Sequence, residues 1–72
     1  MDEKILEILK LVLELNNIDK SCSQANCEKW DSLKHLELMV EIESEFNVEL
    51  EPEEIAKMKS FEDIKKILQQ YR

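Results

Sequence analysis

The sequence contains no glycine and only one proline, Pro52. Leucine, isoleucine, glutamate and lysine are abundant instead, and these residues form helices readily or are compatible with them. The composition therefore predicts an all-α fold. With 72 residues, the chain can build one domain (residues 1–72) around a single modest core, and it leaves little surface to enclose a deep catalytic pocket.

A long hydrophobic run is also missing. The longest apolar stretch falls far short of the roughly 20 residues that a membrane-spanning helix needs. The opening residues, MDEKILEILK, begin acidic rather than basic, unlike an export signal. We therefore expect no membrane span and a cytoplasmic protein, in which Cys22 and Cys27 remain thiols.

Positive charge is scarce where negative charge is concentrated. The net charge is -7, and residues 31–54 alone contain nine carboxylates and one lysine. This distribution argues against a nucleic-acid-binding protein, because contacts to phosphates require a basic face. The acidic segment is either a solvated surface or a docking surface for basic partners, since concentrated charge steers encounter.

Helical periodicity is clear at the start of the chain. Apolar residues recur at helical spacing over residues 5–15, so we expect a first helix over residues 2–16. Residues 17–31 are polar and without periodicity, which predicts a long loop. A loop of that length in so small a domain usually has a function.

The second helix is predicted over residues 32–46, with Asp31 as its N-cap and Asn47 at its end. At 100 degrees per residue, one stripe of this helix has the width of a core face and consists of His35, Leu38, Met39, Ile42 and Phe46. A second apolar group lies away from that stripe, flanked by Glu37 and Glu43, and consists of Leu33, Leu36 and Val40. This group either packs against a neighbouring helix or loop, or it forms an exposed patch that suits a protein partner or a lipid-like ligand.

Two further helices are predicted in the last third of the chain. Pro52 suits the first turn of a short third helix that runs to about Met58. Ser60 followed by Asp63 resembles a capping box, which predicts the start of a fourth helix. The expected core face of that helix consists of Phe61, Ile64, Leu68 and Tyr71.

One segment resembles a known family. Asp31-Ser32-Leu33, followed by Leu36-Glu37-Leu38 and by ESEFNVEL at residues 43–50, is similar to the prosthetic-group segment of acyl carrier proteins. The resemblance implies a small four-helix bundle in which Ser32 is esterified with 4′-phosphopantetheine, and Asp31 and Leu33 complete the attachment motif. A phosphopantetheinyl transferase would attach this arm from coenzyme A with magnesium, and its thiol would then carry acyl groups as thioesters.

The resemblance also implies roles for other residues of the second helix. Leu33 and Val40, together with Leu36 of the same apolar group, would contact acyl-loading and acyl-accepting enzymes. Glu37 and Glu43 would meet basic patches on those partners. The core positions Leu38, Met39, Ile42 and Phe46 would line an acyl cavity. In this picture the protein is a monomer and not an enzyme.

Several positions depart from the carriers of fatty-acid synthesis. Trp30 stands where those carriers usually have glycine, and Lys34 stands where an acidic residue is usual; Val40 and Glu41 also differ. Lys34 in the first helical turn opposes the helix dipole. The cargo therefore stays open between fatty-acid or specialised acyl and polyketide-type groups and, as an alternative, the aminoacyl groups of D-alanyl and related carriers.

The same region of the sequence also bears on two other classes of function. Ser32 and His35 have the spacing of a nucleophile and a base, but no glycine elbow or third orienting group accompanies them, so we expect no hydrolase. Cys22, Cys27 and His35, with Asp31, could be metal ligands, but no second CxxC or HxxxH motif accompanies them, so we expect no metal.

A helical adaptor is the alternative from another class of protein. It would bind partners non-covalently through Leu33, Leu36 and Val40 and would need no modification of Ser32. Trp30, which precedes the attachment motif, is expected to anchor the long loop to the bundle.

Overall fold

The computed structural model describes residues 2–71 and contains four α-helices over that range. They are α1 (Asp2–Val12), α2 (Ser32–Phe46), α3 (Pro52–Lys57) and α4 (Phe61–Gln69). Within the same range there is no strand, apart from an isolated bridge between Ser23 and Ser60. The predicted all-α class is confirmed, as is the order of a long loop, a long second helix and a short third helix. None of these helices is both long and apolar enough to cross a membrane.

The core lies among α1, α2 and α4. Helix α1 packs against both of the other helices, and the three contribute the buried residues Ile5, Ile8, Leu9, Leu38, Met39, Ile42, Phe61, Ile64 and Leu68. Helix α3 buries none of its residues completely, and only Ile55 packs partly against the core. The short helix therefore covers one side of the core formed by the three longer helices.

The first helix ends earlier than the predicted boundary of residue 16. Its last helical residue is Val12, and Glu14 adopts a left-handed conformation with φ 54°. The Leu15 amide donates to the Lys10 carbonyl at 3.0 Å and the Glu14 amide to the Leu11 carbonyl at 3.3 Å, the pattern of a Schellman C-cap. Because the chain has no glycine, glutamate occupies the left-handed position, at a backbone cost of about 1 kcal/mol.

The predicted ends of α2 are confirmed. Asp31 is extended and its carboxylate accepts a hydrogen bond from the Lys34 amide at 2.9 Å. Asn47 ends the helix in the left-handed region with φ 54°, a conformation that asparagine tolerates better than most residues. Ser60 likewise caps α4, since its hydroxyl accepts from the Asp63 amide at 3.1 Å.

Three of the four residues expected on the core face of α4 are buried. Phe61, Ile64 and Leu68 lie in the core, whereas Tyr71 is exposed beyond the end of the helix. The Tyr71 hydroxyl donates to the carboxylate of Glu54 on α3, which raises the pKa of Tyr71 to about 12. Tyr71 therefore ties the end of the chain to α3 instead of filling the core.

The long loop between α1 and α2 is fixed to the rest of the protein. Its backbone pairs with the segment before α4, through Gln24 amide to Lys59 carbonyl at 2.7 Å and Phe61 amide to Cys22 carbonyl at 2.9 Å. The loop also buries Cys22 and Trp30 in the core. The loop therefore supplies part of the core of a small domain.

Trp30 anchors the loop through a hydrogen-bonded chain, as predicted. Its indole nitrogen donates to Nδ1 of His35 at 3.0 Å, and Nε2 of His35 lies 2.7 Å from the carbonyl oxygen of Ile55. This arrangement places the imidazole hydrogen on Nε2 and leaves the lone pair on Nδ1 as acceptor. The loop, α2 and α3 are therefore joined through one histidine.

Replacing Trp30→Phe should lower the free energy of unfolding by about 2 kcal/mol, because it shrinks a buried side chain and leaves Nδ1 of His35 without its donor. Urea unfolding followed by far-ultraviolet circular dichroism would measure the loss. The matched control is Tyr71→Phe, which also removes an aromatic hydrogen bond but at an exposed position, and should shift the midpoint much less. Equal shifts for the two variants would contradict the anchoring role of Trp30.

Candidate functional site

Ser32 is the first residue of α2 and is exposed to solvent. Its neighbours Asp31 and Leu33 are exposed as well. The three residues predicted to form an attachment motif therefore lie together at an accessible helix N-terminus. A reagent or enzyme can approach the Ser32 side chain without unfolding the bundle.

Lys34 is held by carboxylates on both sides. Its ammonium lies 3.4 Å from the Glu14 carboxylate and 3.8 Å from that of Glu37. The lysine opposes the dipole of α2, but it pairs with these two acids and ties the end of α1 to the first turn of α2. Lys29 reinforces the junction, because its ammonium donates to the Glu14 carbonyl at 3.1 Å.

His35 does not form a catalytic pair with Ser32. One of its ring nitrogens accepts from Trp30 and the other contacts the Ile55 carbonyl. Both nitrogens are thus committed to contacts inside the fold, and no nitrogen is free to take a proton from the serine hydroxyl. The spacing of Ser32 and His35 therefore follows from the periodicity of α2 and does not indicate a catalytic pair.

The second apolar group of α2 faces solvent. Leu33, Leu36 and Val40 are 67%, 58% and 62% exposed. Of the two interpretations of this group, packing against a neighbouring element is therefore wrong, and the exposed apolar patch is the one that the structure contains. Large apolar side chains clustered on the surface are typical of interaction sites.

The opposite stripe of α2 lies in the core, as predicted. Leu38, Met39 and Ile42 are buried, and Phe46 packs partly against the same cluster. His35 is half-buried at the end of the stripe. These side chains belong to the same buried cluster as residues of α1 and α4, so an acyl chain would reach them only if the helices moved apart.

Two carboxylates predicted for docking differ in their surroundings. Glu37 is exposed and lies beside Lys34. Glu43 is half-buried, and its carboxylate accepts a hydrogen bond from the Leu50 amide at 2.8 Å. Glu43 thus stabilises the linker after α2, which makes Glu37 the better probe of surface charge.

Leu11 is not among the residues predicted to form the surface patch, yet it is 74% exposed on α1. Leu11 and Val12 line a surface cleft of about 300 Å³ with Glu37, Val40 and Glu41 of α2. At 100 degrees per residue, Leu11 lies about 60 degrees outside Ile8, at the edge of the buried arc of α1. This angular offset was the sequence signal that could have indicated the exposure of Leu11, but the many leucines of α1 obscured it.

The cysteines lie in the long loop between α1 and α2. Both are free thiols; Cys22 is buried and Cys27 is half-buried. Burial, and then the neighbouring Cys27, raises the pKa of the Cys22 thiol to about 11. A raised pKa makes Cys22 a poor nucleophile near neutral pH, because the thiolate is the reactive form. Among residues 2–71, no group of three or more histidine, cysteine or acidic side chains is arranged to bind a metal ion.

Comparisons with known proteins add no relative: no family model matches this chain, and no curated protein matches it.

Two variants distinguish the contribution of Asp31 as an N-cap from the contribution of its charge. Asp31→Ala removes the side-chain acceptor of the Lys34 amide and should lower the free energy of unfolding by about 1 kcal/mol. Asp31→Asn should retain most of the stability, because asparagine is a comparable N-cap. Thermal unfolding of both variants measures the difference. If Asn and Ala destabilise equally, the carboxylate acts through its charge and not as a cap.

Proposed function

We propose that this protein is an acyl carrier protein in which Ser32 bears a 4′-phosphopantetheine arm. The observation that carries the proposal is the exposure of Ser32 at the first residue of α2, next to an exposed apolar patch on the same helix. An attachment serine must be accessible to a modifying enzyme, and the loaded protein must then dock on others. The exposed serine and the exposed patch lie in the first three turns of one helix, which supports the proposal.

The residues around Ser32 fit such an arm. The serine is exposed, and the first turn of α2 provides backbone amides that favour an anionic phosphodiester by about 0.3–1 kcal/mol. Asp31 already accepts from the Lys34 amide, which limits this contribution. In the attachment step, the Ser32 oxygen would form a phosphoester bond while the phosphoanhydride bond of coenzyme A breaks and its nucleotide leaves. When attached, the arm would supply a terminal thiol that carries an acyl group as a thioester.

Partner enzymes would recognise the surface of α2. Leu33, Leu36 and Val40 provide apolar contact area, and Glu37 and Glu41 provide exposed negative charge beside it. This combination suits basic surfaces with apolar pockets, as expected for a phosphopantetheinyl transferase and for acyl-loading and acyl-accepting enzymes. The proposal includes a monomeric, cytoplasmic protein.

In this proposal the protein transports acyl groups and does not catalyse a reaction. Both ring nitrogens of His35 are engaged with Trp30 and Ile55, so His35 is not available as a base for Ser32. The closed packing of Leu38, Met39 and Ile42 indicates that any shelter for cargo depends on separation of the helices. The alternative is a helical adaptor, favoured by the same exposed patch, which would dock without modification.

Modification of Ser32 decides between the carrier and the adaptor. Incubation with coenzyme A, magnesium and a promiscuous phosphopantetheinyl transferase should add the mass of one phosphopantetheine group to the intact protein. Ser32→Ala should show no gain, whereas Ser44→Ala, which alters another exposed serine of α2, should gain the same mass as the unaltered protein. Absence of any gain in the unaltered protein would favour the adaptor, and a gain that persists in Ser32→Ala would assign the wrong residue.

The charge on α2 should control the rate of that modification. Glu37→Lys should lower kcat/KM of the transferase for this protein about 2- to 10-fold at low salt, because it places a positive charge where a basic partner approaches. The matched control is Glu62→Lys, an equal change of net charge at an exposed position on α4. Moderate salt should reduce the difference between the two variants. Equal rates for both at low salt would mean that this acidic face is only solvated.

A further inference from the structure

The exposed apolar surface extends from α2 onto α1. Among the described residues, Leu11 is the most exposed large apolar side chain, and it lines a cleft with Val40. Leu11 also lines a second and larger groove of about 670 Å³, whose other apolar walls are Ile8 and Leu15. The two depressions share Leu11 and Glu41, so they form one continuous surface, which we call the α1–α2 groove.

Ion pairs join the two helices near both ends of the α1–α2 groove. Lys4 lies 3.4 Å from Glu45 near one end, and Lys34 lies 3.4 Å from Glu14 near the other. Glu14, Glu45 and Lys4 are themselves among the groove residues. Each exposed pair is weak by itself, but the packing of α1 on α2 beneath them fixes the separation of the walls. The groove is therefore present before any partner binds.

The charge around the groove is mostly negative. The lining carboxylates outnumber the lining lysines and consist of Glu7, Glu14, Glu37, Glu41 and Glu45, against Lys4 and Lys10. Glu37 and Glu41 stand next to Val40 and Leu11 in the smaller cleft. A partner that places an apolar side chain between Leu11 and Val40 would therefore lie beside the carboxylates of α2.

This charge selects the kind of occupant. A second copy of the chain also carries a net charge of -7 and would bring like charges together at the rim. A membrane with anionic headgroups would be repelled for the same reason. A basic protein segment would gain both the apolar contact and the pairing with Glu37 and Glu41.

We propose that the α1–α2 groove docks a basic amphipathic helix of a partner protein, with an apolar side chain seated between Leu11 and Val40 and lysine or arginine over Glu37 and Glu41. This inference deepens the docking part of the proposed function by adding α1 to the interface. It does not require an arm on Ser32. Leu11 is an interface residue in this proposal, although its substitution leaves the core untouched because its side chain is exposed.

The test uses the full chain and a short helical peptide built only of leucine on one face and lysine on the other. Methyl resonances of Leu11 and Val40 should shift on titration in nuclear magnetic resonance spectra. A matched peptide with glutamate in place of lysine should bind far more weakly. Shifts confined to residues outside the α1–α2 groove, or equal binding of the two peptides, would overturn the proposal.

Variants of Leu11 make the test specific to α1. Leu11→Ser should weaken binding of the basic peptide about 3- to 10-fold, and Leu11→Lys should weaken it further while preserving helix propensity. Gln69→Lys, an exposed position on α4, serves as the charge control and should weaken binding less than Leu11→Lys. Thermal unfolding of each variant verifies that it is folded.

The outcomes separate this inference from the proposed function. Unchanged binding by both Leu11 variants would restrict docking to α2 and overturn the inference, while modification of Ser32 could still be observed. Concentration-dependent dimerisation lost in Leu11→Ser would assign the groove to a second copy and would also overturn it. Binding that depends on Leu11 in a chain that the transferase cannot modify would support the groove while rejecting the carrier.

Discussion

The fold depends on the hydrogen-bonded chain from Trp30 through His35 to Ile55. A domain of this size has few residues with which to hold a long loop. The two hydrogen bonds of His35 connect the loop, α2 and α3 at one point. It also buries the only tryptophan of the protein in the core. Because Trp30 immediately precedes Asp31 and Ser32, the same anchor fixes the start of α2 and with it the position of the exposed serine.

Contacts within this protein explain two departures from the pattern of fatty-acid carriers. At position 30 a glycine could not supply the buried ring or the N–H group that His35 accepts. At position 34 an acidic residue could not pair with Glu14 and Glu37, which together hold the lysine. Both substitutions join the start of α2 to the preceding loop and to α1. They are therefore explained by packing and charge pairing within this chain.

Much of the fold could be predicted from the sequence because its signals are local. Asp31 and Ser60 are strong N-caps and Asn47 readily adopts the left-handed conformation, so the ends of α2 and the start of α4 follow from residue type. The end of α1 could not be predicted in the same way. Its left-handed residue is Glu14, which has no intrinsic preference for that conformation and is held there by the Schellman hydrogen bonds and by Lys29 and Lys34.

The candidate site was predictable in part for similar reasons. The angular position of Leu33, Leu36 and Val40 identified a second apolar group, but only the tertiary arrangement determined that this group is exposed in residues 2–71. The exposure of Leu11 likewise depends on where α2 crosses α1. The partners of the two His35 nitrogens could not be predicted, because Trp30 and Ile55 come together from different segments of the chain.

The acidic segment serves the fold and the surface at once. Glu43 accepts from the Leu50 amide at 2.8 Å and Glu54 accepts from the Glu51 amide at 2.9 Å, so these carboxylates stabilise the linker after α2 and the first turn of α3. Glu37 and Glu41 instead remain at the surface beside Val40. The net charge therefore overstates the negative charge that a partner could contact. The carboxylates that line the α1–α2 groove are the ones that a docked partner would meet. Since salt screens exposed charges more than buried ones, docking should respond to ionic strength more strongly than the stability of the bundle does.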